Sequence, residues 1–229
     1  MPRLFFVTHT VHKKAPAFTP TYLPRRNGTT PMSEFYDPSH QQLQDEFQSR
    51  PLADRLRELI VKPFLDEEAQ TFIKSRNNFY LTTVDAQGFP TVSHKGGDEG
   101  FVIIEDERTL LFPCFDGNGM WLSMGNIDGQ GKIGMLFLDA VNPHRVRVQG
   151  TAKLVRDAEI LSQWPEVGLA VRVSITNTWI NCPRYIHPMQ QVRPAEHVPR
   201  AGVETVEAEW KSIPLVEDVL PKPPHKVKE

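Results

Sequence analysis

The spacing of apolar positions changes once along this chain, after Arg76, from a helical period to the shorter period of strands. Before that point Leu43, Phe47, Leu52, Leu56, Leu59 and Ile60 recur at helical spacing, and Pro51 is placed to start a second helix. Asp66 then reads as an N-cap, with Glu67 and Glu68 in the favourable first turn and Phe72 and Ile73 on the buried side. Beyond Arg76 the residues are β-branched and aromatic. Phe79 to Val84, the turn Asp85-Ala86-Gln87-Gly88 and Pro90 to Lys95 predict one hairpin. Phe101 to Ile104, Asp106-Glu107-Arg108 and Thr109 to Cys114 predict another, and a short helix is expected within Gly117 to Ile127. Lys132 to Leu138 is almost continuously apolar, which predicts a strand buried on both faces. His144 to Leu154 alternates, with Val146 and Val148 against Arg145, Arg147 and Gln149, and Leu169 to Ile175 alternates in the same way. Regular turn spacing points to an antiparallel sheet of six strands with two short helices, closed as a barrel rather than open.

These patterns divide the chain into an N-terminal arm at 1–36, a helical lead-in at 37–65, a barrel at 66–190 and a C-terminal extension at 191–229. The first 33 residues carry Arg3, Lys13, Lys14, Arg25 and Arg26 and no acid, a composition that buries little apolar surface. They lack the helical periodicity of a transit peptide and hold Pro16, Pro20 and Pro24. With 26 basic against 28 acidic residues, nothing draws the whole molecule to nucleic acid or anionic lipid, so any anion site must be local. A hydrophobic fraction of 39% with 24% charged residues excludes disordered and collagen-like classes. Cys114 and Cys182 stand far apart without CxxC spacing, which argues against a disulfide framework or structural zinc and for a reducing, cytoplasmic compartment. No apolar run approaches the roughly 20 residues that cross a bilayer, so no membrane partner is expected.

Several short motifs dissolve on inspection. Gly96-Gly97-Asp98-Glu99-Gly100 is close to the signature loop of diguanylate cyclases, but Gly100 stands where an aromatic is needed and the α/β framework is missing. Asp116-Gly117-Asn118-Gly119 opens like a calcium loop, yet Met120 occupies the next ligand position and no glutamate closes it. The histidines never fall at i, i+4 beside a carboxylate, so no metal site is predicted.

Two stretches carry more when read together. Val92-Ser93-His94-Lys95 ends a strand with a hydroxyl, an imidazole and an ammonium before paired glycines, whose N–H groups are expected to stay open to a ligand. Phe112-Pro113-Cys114-Phe115 leads through Asp116-Gly117-Asn118-Gly119-Met120 into a helix, whose N-terminus favours phosphate. With Ser123-Met124-Gly125-Asn126 and Asn181-Cys182-Pro183-Arg184-Tyr185-Ile186 in this order, the segment from Glu67 to Met189 resembles the pyridoxamine 5'-phosphate oxidase-like, FMN-binding split-barrel family.

That resemblance implies a six-stranded antiparallel split β-barrel with peripheral helices, a homodimer with FMN at the subunit interface, and oxidoreductase chemistry on a small-molecule substrate. It places Val92, Ser93, His94 and Lys95 beside the flavin and its ribityl chain, Phe112 and Pro113 beside the ring, and Asn118, Gly119 and Met120 near the phosphate. Arg145 and Arg147 would face the isoalloxazine, while Trp179 and Arg184 would come from the partner subunit. Two departures bear on function. The Ser-Arg-Lys cluster of true oxidases is replaced by Asn118-Gly119-Met120, which leaves Lys95, backbone donors and the helix dipole to hold the phosphate. Of the Arg-x-His-x-Arg group only His187 remains, between Tyr185 and Met189, which sets B6-phosphate oxidation apart from FMN binding. A competing reading is a non-catalytic flavin- or haem-binding module, with His94 or His187 as the haem ligand.

Overall fold

The computed structural model describes residues 35–221. The expected N-terminal arm therefore lies outside the described residues apart from Phe35 and Tyr36, as does the end of the C-terminal extension. The lead-in forms α1 (Pro38–Glu46) and α2 (Arg50–Ile60), and Asp37 caps α1 by accepting the amides of Ser39 and His40. Neither helix buries a residue, and Leu52, Leu56 and Leu59 of α2 stay exposed. Asp66 caps α3 (Glu67–Lys74) by accepting the Ala69 N–H at 2.9 Å, and Ala69 and Ile73 enter the core.

Seven strands form one antiparallel sheet: β1 (Asn78–Val84), β2 (Pro90–Gly96), β3 (Ile103–Asp106), β4 (Thr109–Pro113), β5 (Lys132–Asp139), β6 (His144–Val155) and β7 (Ala170–Ile180). Their order is β2-β1-β5-β6-β7-β4-β3. The helices α4 (Leu122–Gln130) and α5 (Ala158–Leu161) lie in the connections before β5 and β7. Fold class agrees with the expectation, but the strand count is seven rather than six and the sheet is not closed. Its edges are β2 and β3, which follow each other in sequence. Between them the chain turns inward at Gly97 and buries Phe101 and Val102, so side chains rather than a backbone ladder occupy this stretch. The Gly97 N–H donates to the Asn77 carbonyl at 2.8 Å, and a Cβ there would lie 2.4 Å from the Phe101 ring. Gly97 therefore serves packing, and its amide is not open to a ligand as the sequence suggested.

Phe79 is the hub of the core. Its ring lies 5.1 Å from Phe112, 5.2 Å from Phe137 and 5.8 Å from Phe101, all three fully or nearly fully buried. Each such phenylalanine is worth about 1.5–3 kcal/mol of burial. On β5, Ile133, Met135 and Phe137 point into this core. Gly134, Leu136 and Leu138 are only half covered, so β5 is not buried on both faces. The strand is amphipathic by exposure although not by composition.

Candidate functional site

Alternation along β2 splits the four predicted residues. Thr91, Ser93 and Lys95 are half buried and turn inward, whereas Val92 and His94 are exposed on the outer face. The inward residues meet α4. Ser93 Oγ lies 3.1 Å from Ser123 Oγ in the first turn of α4, and Asn126 Nδ2 donates to Thr83 Oγ1 at 3.0 Å and Thr91 Oγ1 at 3.4 Å. This hydroxyl and amide network fixes the helix over the β1–β2 hairpin. The N-cap of α4 is Trp121, held in the left-handed region at φ 54° with no side-chain cap. The first amides of the helix thus have neither an intrahelical nor a side-chain acceptor.

Lys95 stands at the end of this strand. It makes no ion pair among the described residues, and burial pulls its pKa below the ordinary lysine value, with Cys114 acting weakly against that. Burial likewise pushes the Cys114 thiol up, opposed by the Lys95 charge and assisted by Asp116. A partly desolvated ammonium with no ion pair among the described residues, on the strand whose Ser93 meets the first turn of a helix that lacks a side-chain cap, is an arrangement a phosphate would complete.

On the outer face, strand register aligns His94, Tyr80, Leu136, Arg147 and Trp179 in one row across β2, β1, β5, β6 and β7. At about 4.8 Å per strand the row spans roughly 19 Å. His94 meets Tyr80 edge-on at 5.7 Å, and the Arg147 guanidinium lies 5.9 Å from the Trp179 ring. Phe35 packs on the same indole at 5.3 Å. Arg145 donates from Nη2 to the Cys182 carbonyl at 2.7 Å, while its Nε and the Oδ1 of Asn181 are buried without partners. Arg184 sits in the exposed turn beyond β7, 5.8 Å from the Tyr185 ring.

The other expected residues are placed differently. Phe112 is fully buried against Phe79, and Pro113 beside it is also buried. The helix expected within Gly117 to Ile127 occupies Leu122–Gln130, because Gly119 at φ 76° and left-handed Trp121 delay its start. Asn118, Gly119 and Met120 form an exposed turn instead, closed by the Asn118 carboxamide oxygen accepting the Met120 N–H at 3.1 Å. Thr91, Ser123 and Asn126 join this cluster as well. The three-residue spacing of Ser123 and Asn126 on one helix was the available signal.

These features define a split-barrel protein whose edge strand meets α4 through Ser93 and Ser123 and carries a half-buried cation with no ion pair among the described residues. The family model described as pyridoxamine 5'-phosphate oxidase matches residues 65–206, and the chain belongs to that family. Three solved structures show the range of its relatives. A point variant of HupZ from Group A Streptococcus is 21% identical, covering 51% of this chain and 99% of that one at a TM-score of 0.43. A Lactobacillus delbrueckii protein named as a putative pyridoxamine 5'-phosphate oxidase is 25% identical, covering 52% and 95% at 0.43. An FMN-binding protein from Syntrophomonas wolfei is 14% identical, covering 61% and 97% at 0.41. No curated protein matches the sequence. Among the described residues no helix is long and apolar enough to cross a membrane, and no cluster of three metal-ligating side chains occurs.

Proposed function

We propose that this protein is an FMN-dependent oxidoreductase, working as a homodimer with each flavin bound where two copies meet. The observation that carries the reading is Lys95, a half-buried ammonium with no ion pair among the described residues, on the face that meets α4. Lys95, Ser93 and Ser123, with the first amides of α4, would hold the phosphate. Arg147 and Arg145 supply positive charge on the outer face, and Trp179 an aromatic surface beside it. Arg147 and Trp179 are a cross-strand pair, so they serve the same flavin whichever copy holds it. In a single chain Lys95 and the Arg147–Trp179 pair lie on opposite faces of the sheet. Two copies related by a two-fold axis would let the first group of one meet the second group of the other. The half-covered Leu136 and Leu138, with Tyr80 and the exposed Val92 beside them, give that contact its apolar surface. Bound FMN supplies hydride and electron transfer through its N5 atom, and the chain supplies position and electrostatics.

Purified protein should absorb at about 370 and about 450 nm after FMN loading, and light scattering should give about twice the 26.1 kDa chain mass. A Soret band in place of the flavin bands would replace this reading with haem binding. Neither chromophore with a monomeric mass would overturn it. Turnover against B6 vitamers, nicotinamide donors and deazaflavin then identifies the substrate.

A further inference from the structure

Among the described residues four side-chain contacts tie the C-terminal extension to the barrel, the first being Asn77 Nδ2 donating to Gln191 Oε1 at 2.7 Å. Arg200 forks onto Asp98 at 2.8 and 2.7 Å, and Thr205 donates to Glu166 at 2.9 Å. Lys211, in a 3-10 turn at Glu209–Ser212, binds Asp116 at 2.5 Å, with Glu207 at 3.7 Å. Of these, the Lys211 contact lands beside the candidate site. Asp116 lies in the loop from β4 to α4, two residues past Cys114, and the Cys114 thiol is in the field of both Asp116 and Lys95. A carboxylate at this point repels an anion bound beside it. Lys211 takes up that carboxylate, and its own side chain is only 21% exposed. The hydrogen bond that Lys211 donates to Asp116 raises the lysine's pKa, so the cation persists over the physiological range.

We infer that Lys211 is a positioning residue for the anion site: it holds and neutralises Asp116, and so removes a repulsion that phosphate bound at Lys95 would meet. The inference rests on the FMN reading proposed above, and it adds a residue that lies beyond the segment matched by the family model. Here the Asn118-Gly119-Met120 turn supplies no cation of its own. The extension removes a negative charge instead of adding a positive one.

The test titrates FMN and riboflavin against wild type, Lys211→Met, Lys211→Arg, and the double variant Asp116→Asn with Lys211→Met. Lys211→Met should weaken FMN by about three- to tenfold, the scale of a partly exposed ion pair, and leave riboflavin unchanged because it has no phosphate. Lys211→Arg should restore most of the affinity. The double variant should return to within about twofold of wild type, since removing the acid removes the need for its partner. Unchanged FMN affinity in Lys211→Met overturns the inference. So does equal weakening of both flavins, or a double variant as weak as the single one, because Lys211 is then a tether. If wild type binds neither flavin, the FMN reading fails separately. Thermal shifts with inorganic phosphate then decide. A shift lost in Lys211→Met and regained in the double variant supports the inference, and any other pattern, including no shift in wild type, rejects it.

Discussion

Lys95→Met should separate ligand affinity from stability in one substitution. The ammonium is half buried on the inner face of β2 with no ion pair among the described residues, so the unliganded protein carries a charge partly stripped of water. Methionine keeps the length and the apolar stem while removing that charge. The melting temperature of the unliganded variant should therefore equal or exceed that of wild type. With FMN the outcome reverses. One charge-assisted contact is worth about 1.5–3 kcal/mol, which at about 1.4 kcal/mol per decade is a ten- to hundredfold rise in Kd. Riboflavin should bind both proteins alike. The pH dependence has a definite sign, because phosphate favours the charged lysine. Wild-type affinity is full below the unliganded pKa and falls as pH rises through it, and burial brings that fall below the range of an exposed lysine. Stability moves the other way: with its folded pKa below its unfolded one, Lys95 makes the unliganded protein more stable as pH rises between the two. Fluorescence titration of both flavins from neutral to alkaline pH, with melting curves of the unliganded proteins, measures every part of this. An unchanged Kd for FMN, or a lower melting temperature with both flavins weakened equally, would refute the reasoning.

Three further outcomes are expected. Arg147→Gln should lower the midpoint potential of bound flavin by tens of millivolts, since about 30 mV is 1.4 kcal/mol for a two-electron couple; spectroelectrochemistry giving the wild-type value would make Arg147 a surface residue. Gly150→Ala should cost about 2 kcal/mol or more in urea unfolding, because its Cβ would lie 2.3 Å from the Ser174 carbonyl oxygen, a backbone atom that cannot swing away. A midpoint within error of wild type would show that the register shift beside Gly150, where Thr176 of β7 is left unpaired, relaxes freely. Asp139 feels burial that raises its pKa, but the amides of Asn142 and Val141 and the Arg76 guanidinium at 2.9 Å outweigh it and hold the carboxyl below its ordinary value. A depressed carboxyl stabilises at neutral pH and loses that contribution as pH falls through its folded pKa, so Asp139→Asn should unfold earlier at neutral pH with a shallower acid limb. Parallel curves for the two proteins across the acid range would reject this account.

The sequence by itself determined the features that depend on neighbours along the chain. The Asp66 cap, the Pro51 helix start, the two hairpins and the alternation of Val146 and Val148 with Arg145 and Arg147 are local matters of propensity, turn chemistry and period. Only the tertiary structure decided which faces meet. Ser93 and His94 are adjacent in sequence, but the two-residue period of a strand sends one to α4 and the other to Tyr80. The chain does not say that Phe112 packs on Phe79; the packing of the sheet brings the two rings together. Trp179 opposes Arg147 because β7 runs on to Ile180, beyond the alternating segment that first marks it as a strand. Lys211 reaches Asp116 across 95 residues, a contact that no local period encodes. Pairings of this kind are set by the packing of whole elements and by the register that packing imposes, and for that reason they were not legible from the chain alone.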